Sequence, residues 1–497
     1  MSGIVTLVGA GPGDPGLLTL RGKEALEQAD VVVYDRLINP VLLKWASPKA
    51  RLIDVGKNAG HHPVPQEEIN RILLKEAENG CSVVRLKGGD PFLFGRGGEE
   101  LELLAQNGID FEVVPGVTSA IAVPGYAGIP VTDRDRSSSV HIIAGRLRDG
   151  SPRQLDYEAL VRSGGTLVFL MGVKALPRLC EGLLKAGMPP DMPAAMIENG
   201  TLPDQRKILA SVGTLANKAA EAGIRSPAIS VFGKVCELSE SLDWFERLPL
   251  HGKTVIVTRP SERMGDLPCR LQQLGARVIE YPCIVTVPCA NRAPLQEAIK
   301  TLRNYKWIVF TSPGGPKYFF SALFDQGLDV RVLGGIRLAA IGPKTADALI
   351  EYGVRADLIP GEYNSNALSE SLCREADGPV LLCRSSIASP EIPALLRKQG
   401  IPFSDVPCYD TRYEAPENAD VLCALRQGHP YVTFTSASTV RGFVNSLPPR
   451  TDLSGILGCC IGERARREAE RHHILAVAAE ESTIECLIER MIKEAKQ

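Results

Sequence analysis

The chain has 497 residues, 44% hydrophobic and 23% charged, with a formal net charge of −2 at pH 7. This is ordinary globular usage with material for three or four domains of about 150 residues. Near-neutral charge gives no basis for nucleic acid or an anionic membrane as a partner, and apolar runs such as Leu167–Met171 are far too short to span a bilayer. The 13 cysteines form no CxxC pair, so neither a zinc site nor a dithiol redox motif is expected, and reduced thiols in a cytoplasmic protein are the simplest account. Met1-Ser2-Gly3 runs straight into an apolar stretch, so no signal peptide is expected.

In chain order, Ile4–Val8, Val31–Tyr34, Ser82–Leu86, Val140–Ile143 and Thr166–Met171 read as strands, and Arg21–Ala29 and Glu67–Asn79 as helices. Alternation of this kind predicts an α/β architecture. Gly11, Gly13 and Gly16 follow the first strand with GxGxxG spacing, and Asp35 closes the next strand where a dinucleotide fold places its ribose-binding acid. Pro12 and Pro15 lack the N–H groups a pyrophosphate cradle uses. A nucleotide loop and a tight structural turn therefore both stay open, and with the first a nucleotide-dependent oxidoreductase. Gly88-Gly89-Asp90 after the third strand admits close ligand approach, with Asp90 either on sugar hydroxyls or stabilising a turn before Pro91. Thr118 and Ser119 can cap a helix or meet a ligand at its start. Arg85, Lys87 and Arg96 read as solvated charges or as partners for a polyanion. His61-His62 sits on an extended stretch with no acid nearby, so no metal site is expected.

The pattern breaks over residues 245–253 and restarts at Lys253-Thr254-Val255-Ile256-Val257-Thr258-Arg259-Pro260. Beyond it lies an internal repeat. Val255–Arg259 echoes Val380–Arg384, Tyr281-Pro282-Cys283 echoes Val406-Pro407-Cys408, Phe310-Thr311-Ser312 echoes Phe434-Thr435-Ser436, and Ile341-Gly342 echoes Ile461-Gly462, at offsets of 125, 125, 124 and 120 residues. Two similar α/β units facing each other across a ligand cleft are expected.

The first half resembles the tetrapyrrole methylases, specifically the uroporphyrinogen-III C-methyltransferases. The resemblance is carried by Val8–Gly16, Val33–Leu37, Gly56-Lys57, His62–Gln66, Lys87–Arg96, Pro115–Ala120, Phe169–Gly172, Glu198–Thr201 and Ser226–Ala228. The second half resembles uroporphyrinogen-III synthase, through Val257–Pro260, Phe310–Ser312, Ile341–Ala346, Val406–Thr411 and Phe434–Ser438. The resemblance implies a tetrapyrrole methylase fold of two α/β subdomains over residues 1–245 and a two-lobed α/β synthase over 253–497. It implies S-adenosylmethionine as methyl donor, held by Pro12, Gly88, Gly89, Asp90, Leu93, Thr118, Ser119, Met171 and Gly200. Asp35 and Lys57 take the family's proton-acceptor and proton-donor positions, while Lys57 read alone is a surface lysine. In the synthase half it implies Tyr409 as the weak acid at the leaving hydroxyl, or else a packing aromatic, with Thr311, Ser312 and Ser436 facing substrate carboxylates.

The expected reactions are cyclisation of hydroxymethylbilane to uroporphyrinogen III and its double methylation to precorrin-2, on the way to sirohaem or cobalamin. A homodimer through the methyltransferase half is a further family expectation. A C-terminal half that binds tetrapyrrole without turnover is the non-enzymatic alternative. Asp133 and Arg146 replace the family's usual histidines and are assigned no role. Ala465 replaces a common threonine, with Arg464 and Arg466 as substitutes for carboxylate binding. Cys459-Cys460 and His472-His473 read as structural or exposed.

Overall fold

A computed structural model of the chain describes residues 3–56, 64–145 and 155–496. The chain divides into two compact units, 1–253 with 274–277, and 254–273 with 278–497.

The first unit holds two five-stranded sheets. β1 (Ile4–Gly9), β2 (Val31–Tyr34), β3 (Arg51–Asp54), β4 (Ser82–Lys87) and β5 (Asp110–Val114) form a parallel sheet of order β3-β2-β4-β1-β5. Successive residues serve opposite faces. Val5, Leu7, Val31, Val33 and Val83 pack with Leu73 and Leu104 on one side; Val8, Val32, Val84 and Leu86 pack with Leu26 and Leu42 on the other. A sheet covered on both faces needs such continuous apolar strands. The helix Gln66–Glu78 supplies one cover by burying Ile69, Leu73 and Ala77 at four-residue spacing. β4 and β1 are neighbours although far apart in sequence, so their trailing loops meet at the carboxyl edge, where open α/β sheets bind ligands.

The second sheet, β6 (Val140–Ala144), β7 (Thr166–Leu170), β8 (Pro193–Glu198), β9 (Arg206–Ser211) and β10 (Ala228–Phe232), has order β6-β7-β10-β8-β9. β10 runs antiparallel to both β7 and β8, which puts the carboxyl ends of β7 and β8 on one edge.

The second unit has the two α/β lobes expected, but neither lobe is a single copy of the sequence repeat. β11 (Thr254–Val257), β12 (Arg277–Glu280), β18 (Tyr431–Phe434), β19 (Leu457–Cys460) and β20 (Leu475–Ala478) form one sheet of order β12-β11-β18-β19-β20. β13 (Ile284–Pro288), β14 (Trp307–Phe310), β15 (Arg337–Ala340), β16 (Val380–Ser385) and β17 (Phe403–Tyr413) form the other, of order β13-β17-β16-β14-β15. Under the sequence repeat, β12-β11-β18-β19 maps strand for strand onto β17-β16-β14-β15. Each lobe is therefore built from the first half of one copy and the second half of the other. β20 has a vestigial counterpart in the Ala339–Leu358 bridge. The cause lies at β13 and β17, which pair antiparallel with Thr286 opposite Thr411, its own repeat mate at the 125-residue offset. Ile284 faces Tyr413 and Pro288 faces Tyr409, the same relation read from either copy. A local two-fold axis thus passes between Thr286 and Thr411, and the copies exchange halves about it.

Candidate active sites

In the first unit, the loops leaving β1, β4 and β5 close on one another through glycines. A Cβ on Gly9 would lie 2.5 Å from the Gly116 Cα, and one on Gly116 would lie 2.2 Å from the Gly89 carbonyl oxygen. Gly89, at φ +69°, donates to the Gly11 carbonyl at 2.8 Å and accepts from the Gly11 N–H at 3.2 Å. Its own Cβ position faces open space. Asp90 accepts from the N–H groups of Phe92 (2.8 Å), Leu93 (2.9 Å) and Gly116 (3.1 Å), so its carboxylate ties the β4 loop to the β5 loop. Thr118 caps the helix Ser119–Tyr126 by accepting from the Ala120 N–H.

The GxGxxG loop has little left to offer a pyrophosphate. The N–H of Gly11 is spent on Gly89, that of Asp14 on the Thr201 hydroxyl at 3.1 Å, and those of Gly16 and Leu17 on Asp14. Pro12 and Pro15 have none, which leaves only Gly13 among the described residues of the loop. A phosphate cradle needs several converging N–H donors. The site suits an adenosine ligand without phosphates better than a dinucleotide.

The loops after β7 and β8 complete this edge. Tyr126 donates to Asp14 at 2.7 Å, and a Cβ on Gly200 would lie 2.3 Å from a Val123 methyl of the Ser119–Tyr126 helix. Hydrogen bonds and close packing thus bring Pro12, Gly88, Gly89, Asp90, Leu93, Thr118, Ser119 and Gly200 into one contiguous set of loops. Met171 follows β7 on the same sheet edge as Gly200, half exposed. Among the described residues, the non-glycine residues with positive φ are Phe94, Arg96, Met171, Asn199 and Thr201, all in these loops, and otherwise only Arg450 and His473. Strain gathered this way marks functional loops.

Asp35 lies just beyond β2 with its side chain 30% exposed, and accepts from Arg85 Nη2 at 2.8 Å. Arg85 and Lys87 are buried, against the reading of solvated charges, because both sit on the central strand β4. Glu100, 0% exposed, accepts from Arg85 (3.1 Å), Lys87 (2.7 Å) and Gln66 (3.0 Å) through Oε1, while its Oε2 has no partner among the described residues. Burial and the adjacent Arg85 hold the Lys87 ammonium below the usual lysine range. Sequence reasoning missed Glu100, although it falls on the buried face of its helix beside Leu101 and Leu104. Arg96 is partly exposed and pairs with Glu99 at 2.6 Å. Asp133 caps a local turn through the Asp135 and Arg136 N–H groups. Lys57, His61, His62 and Arg146 lie outside the described residues.

In the second unit, the Tyr409 hydroxyl hydrogen-bonds Ser312 Oγ at 2.7 Å. Tyr409 is 5% exposed on β17, and its ring stacks on Tyr318 at 5.4 Å. Thr311 and Ser312 follow β14 on that lobe. Ser436 follows β18 on the other lobe, where it caps the helix Ala437–Ser446 with Thr439 and bonds Ser438 at 2.8 Å. The structure thus couples Ser312 to Tyr409 and puts Ser436 at the two-fold-related position. A cavity of about 570 Å³ opens on the Ser436 side, between the 389–391 loop and the helices Ala437–Ser446 and Glu463–Arg471. Arg464 lines it without an ion-pair partner among the described residues, whereas Arg466 is held by Glu463 at 2.7 Å and by Glu470. No helix among the described residues is long and apolar enough to cross a membrane.

Comparisons with known proteins agree with this division. Residues 5–216 match the model of the tetrapyrrole (corrin/porphyrin) methylases and residues 266–489 that of uroporphyrinogen-III synthase. The porphyrin biosynthesis protein HemD of Ruminiclostridium josui is 48% identical over 99% of this chain and 98% of its own length. The uroporphyrinogen-III C-methyltransferase of Bacillus subtilis is 44% identical over 67% of this chain and 68% of its own. The sirohaem synthase of Thiobacillus denitrificans is 49% identical over 49% of this chain and half of its own. The chain belongs to the family in which a tetrapyrrole methylase, an S-adenosylmethionine-dependent C-methyltransferase, is fused to a uroporphyrinogen-III synthase.

Proposed function

We propose that the second unit cyclises hydroxymethylbilane to uroporphyrinogen III with inversion of the last pyrrole, and that the first unit methylates that product twice to precorrin-2. One observation carries the reading: two families whose reactions are consecutive occupy the two units of one chain.

S-adenosylmethionine supplies an electrophilic methyl group. Pro12, Gly88, Gly89, Asp90, Leu93, Thr118, Ser119, Met171 and Gly200 hold it, a role supported by the open space at Gly89 and by a loop with too few open N–H groups for a phosphate cradle. The protein's main task is alignment of the attacking pyrrole carbon with that methyl. Asp35, the solvent-reaching end of the buried network, stabilises the cationic adduct and takes up its proton. Lys57 donates a proton in the same reading. In the second unit Tyr409, oriented by Ser312, protonates the departing hydroxyl, and Thr311 and Ser436 face the substrate's carboxylates. A homodimer through the first unit belongs to the same proposal.

The test is anaerobic incubation of the chain with hydroxymethylbilane and S-adenosylmethionine, followed by mass spectrometry. A type-III product with two added methyl groups is expected. Unmethylated type-III product would remove the methyltransferase reading, and only the type-I skeleton would remove the synthase reading.

A further inference from the structure

The two-fold axis of the second unit makes a comparison possible that neither lobe offers alone. Each arginine that closes a repeat-mate strand has a counterpart, Arg259 after β11 and Arg384 on β16. Arg384 is neutralised within the fold. It binds Asp405 through both Nε (2.7 Å) and Nη2, and it donates from Nη1 to the Ser389 carbonyl. The Arg259 guanidinium has no hydrogen bond or ion pair with a described residue, although it is partly buried, and neither has the guanidinium of Arg263 four positions on, whose backbone N–H donates to the Pro260 carbonyl at 2.9 Å.

Arg263 reaches across to the other lobe. Its Nη2 lies 2.5 Å from the point where a Cβ on Gly314 would stand, and Tyr409 Cε1 and Cζ lie 3.3 Å from that same point. Guanidinium and phenol therefore flank one glycine, at the start of the helix Gly314–Asp325. The loop is pinned there by Glu262, whose carboxylate is taken by Lys317 of that helix at 2.6 Å. At the related position of the other copy, Ala388 replaces Arg263 and Ile284 replaces Tyr409. One cradle thus keeps two guanidiniums without side-chain partners next to a phenol, while its mate neutralises the equivalent strand-end arginine, has no phenol and keeps only Arg464 open farther along, among the described residues.

Two neighbouring guanidiniums drawn partly out of water without a hydrogen-bonded carboxylate are costly unless an anion completes them. Burial and the repulsion of Arg263 hold the Arg259 guanidinium below its usual value, with Asp266 offsetting part of that. Planar forks of this kind bind carboxylates bidentately.

We infer that Arg259 and Arg263 form a carboxylate-anchoring pair that fixes one acidic side chain of the linear tetrapyrrole beside Tyr409, and so selects which of the two pseudo-equivalent cradles carries out ring closure. The inference rests on the synthase reading of this unit. It assigns the asymmetry of the reaction to the open guanidinium pair that stands beside the phenol in one cradle of a nearly symmetric fold.

The experiment uses the full chain with R263M, R259M and the double variant, and R384M as a control. Two readouts are taken: steady-state cyclisation of hydroxymethylbilane, and equilibrium binding of uroporphyrin III, a stable octacarboxylate, by fluorescence. Each single variant should raise KM and the uroporphyrin Kd about tenfold and the double variant about a hundredfold, with kcat changed less than threefold. R263K should recover part of the loss, since it restores charge but not the fork. R384M should lower thermal stability without that selective rise in KM. Wild-type turnover with unchanged KM and Kd in R263M overturns the inference and leaves the synthase reading intact. Arg263 sits on a partly exposed turn, so that single variant decides the matter even where R259M fails to fold. A wild-type chain that neither cyclises hydroxymethylbilane nor binds uroporphyrin overturns the synthase reading itself.

Discussion

Arg85 Nη2 lies 2.8 Å from Asp35 Oδ1, and the two ends of this ion pair live in different media: the arginine side chain is 2% exposed, the aspartate 30%. The pair joins a wet carboxylate to a dry cluster of Arg85, Lys87 and Glu100. Two cations and one anion behind Asp35 leave one positive charge, so Asp35 is the carboxylate that completes the balance.

Glu100 to Gln therefore breaks more than one bond. It leaves Arg85 and Lys87 facing each other with Asp35 as their only anion among the described residues. Removing one partner of a buried pair costs about 3–5 kcal/mol. Amide hydrogen exchange on β2 and β4 should show opening free energies lower by about 3 kcal/mol. Unchanged protection would mean that the cluster is not balanced by Glu100.

Lys87 gives this unit a pH signature. Its folded pKa lies below its unfolded value. Between those values the unfolded chain binds more protons, so stability rises with pH through that window, which ends near the usual lysine value of about 10.4. Lys87 to Met removes the rise. Between pH 7 and 10 the melting temperature of wild type should rise relative to that of the Met variant, whichever is higher at pH 7, and parallel curves would refute the assignment.

Gly200 stands against a side chain rather than against backbone, its Cβ position 2.3 Å from a Val123 methyl. Gly200 to Ala overpacks this contact at about 1–3 kcal/mol and displaces the Asn199–Thr201 loop, so the KM for S-adenosylmethionine should rise. Val123 to Ala in the same chain makes room, and should restore KM toward wild type. Failure of that rescue would mean that the loop is set elsewhere.

Much of this fold is legible in the sequence because local signals agree with packing. Val31–Tyr34 is a strand at the bounds its apolar run predicts, and Gln66–Glu78 follows its four-residue spacing to within one residue. Met171 ends outside its strand because it takes φ +57°, a conformation no residue pattern announces. The repeat was visible, yet the exchange of halves was not: identical motifs fit either lobe, and only the antiparallel pairing at Thr286 and Thr411 decides between them. Arg85 and Lys87 looked solvated because their buried partner, Glu100, is 15 and 13 residues away on a different element. Asp90 and Thr118 were left between two roles, and the structure shows the backbone bonds of both, which a ligand role does not displace.

Thiol reactivity follows burial. Of the 13 cysteines, Cys269 and Cys423 are exposed. Burial pushes the thiols of Cys283 and Cys460 up to about 12 and that of Cys180 up to about 11. Thiolate, not thiol, attacks a disulfide reagent. The native chain should titrate with Ellman's reagent as two fast thiols, with the partly exposed Cys81, Cys373 and Cys486 slower and the buried ones following on denaturation. A fast reaction at Cys459 or Cys460 would contradict their placement in the core of β19.

Tyr409 offers the sharpest test of the second unit, because its two readings differ by one atom. As a packing residue it needs its ring, which stacks on Tyr318; as an acid it needs its hydroxyl, which meets Ser312 at 2.7 Å. Tyr409 to Phe keeps the first and deletes the second. Loss of a general acid costs about 10²–10⁴ in rate, so cyclisation should fall at least a hundredfold, and hydroxymethylbilane should drain instead into the type-I isomer by spontaneous closure. Ser312 to Ala leaves the phenol in place but unoriented, and should cost less. Methylation of added uroporphyrinogen III should be unchanged in both variants, since that reaction belongs to the other unit. A Phe variant that cyclises at the wild-type rate would leave Tyr409 as packing and move the search for the acid to the hydroxyls around it.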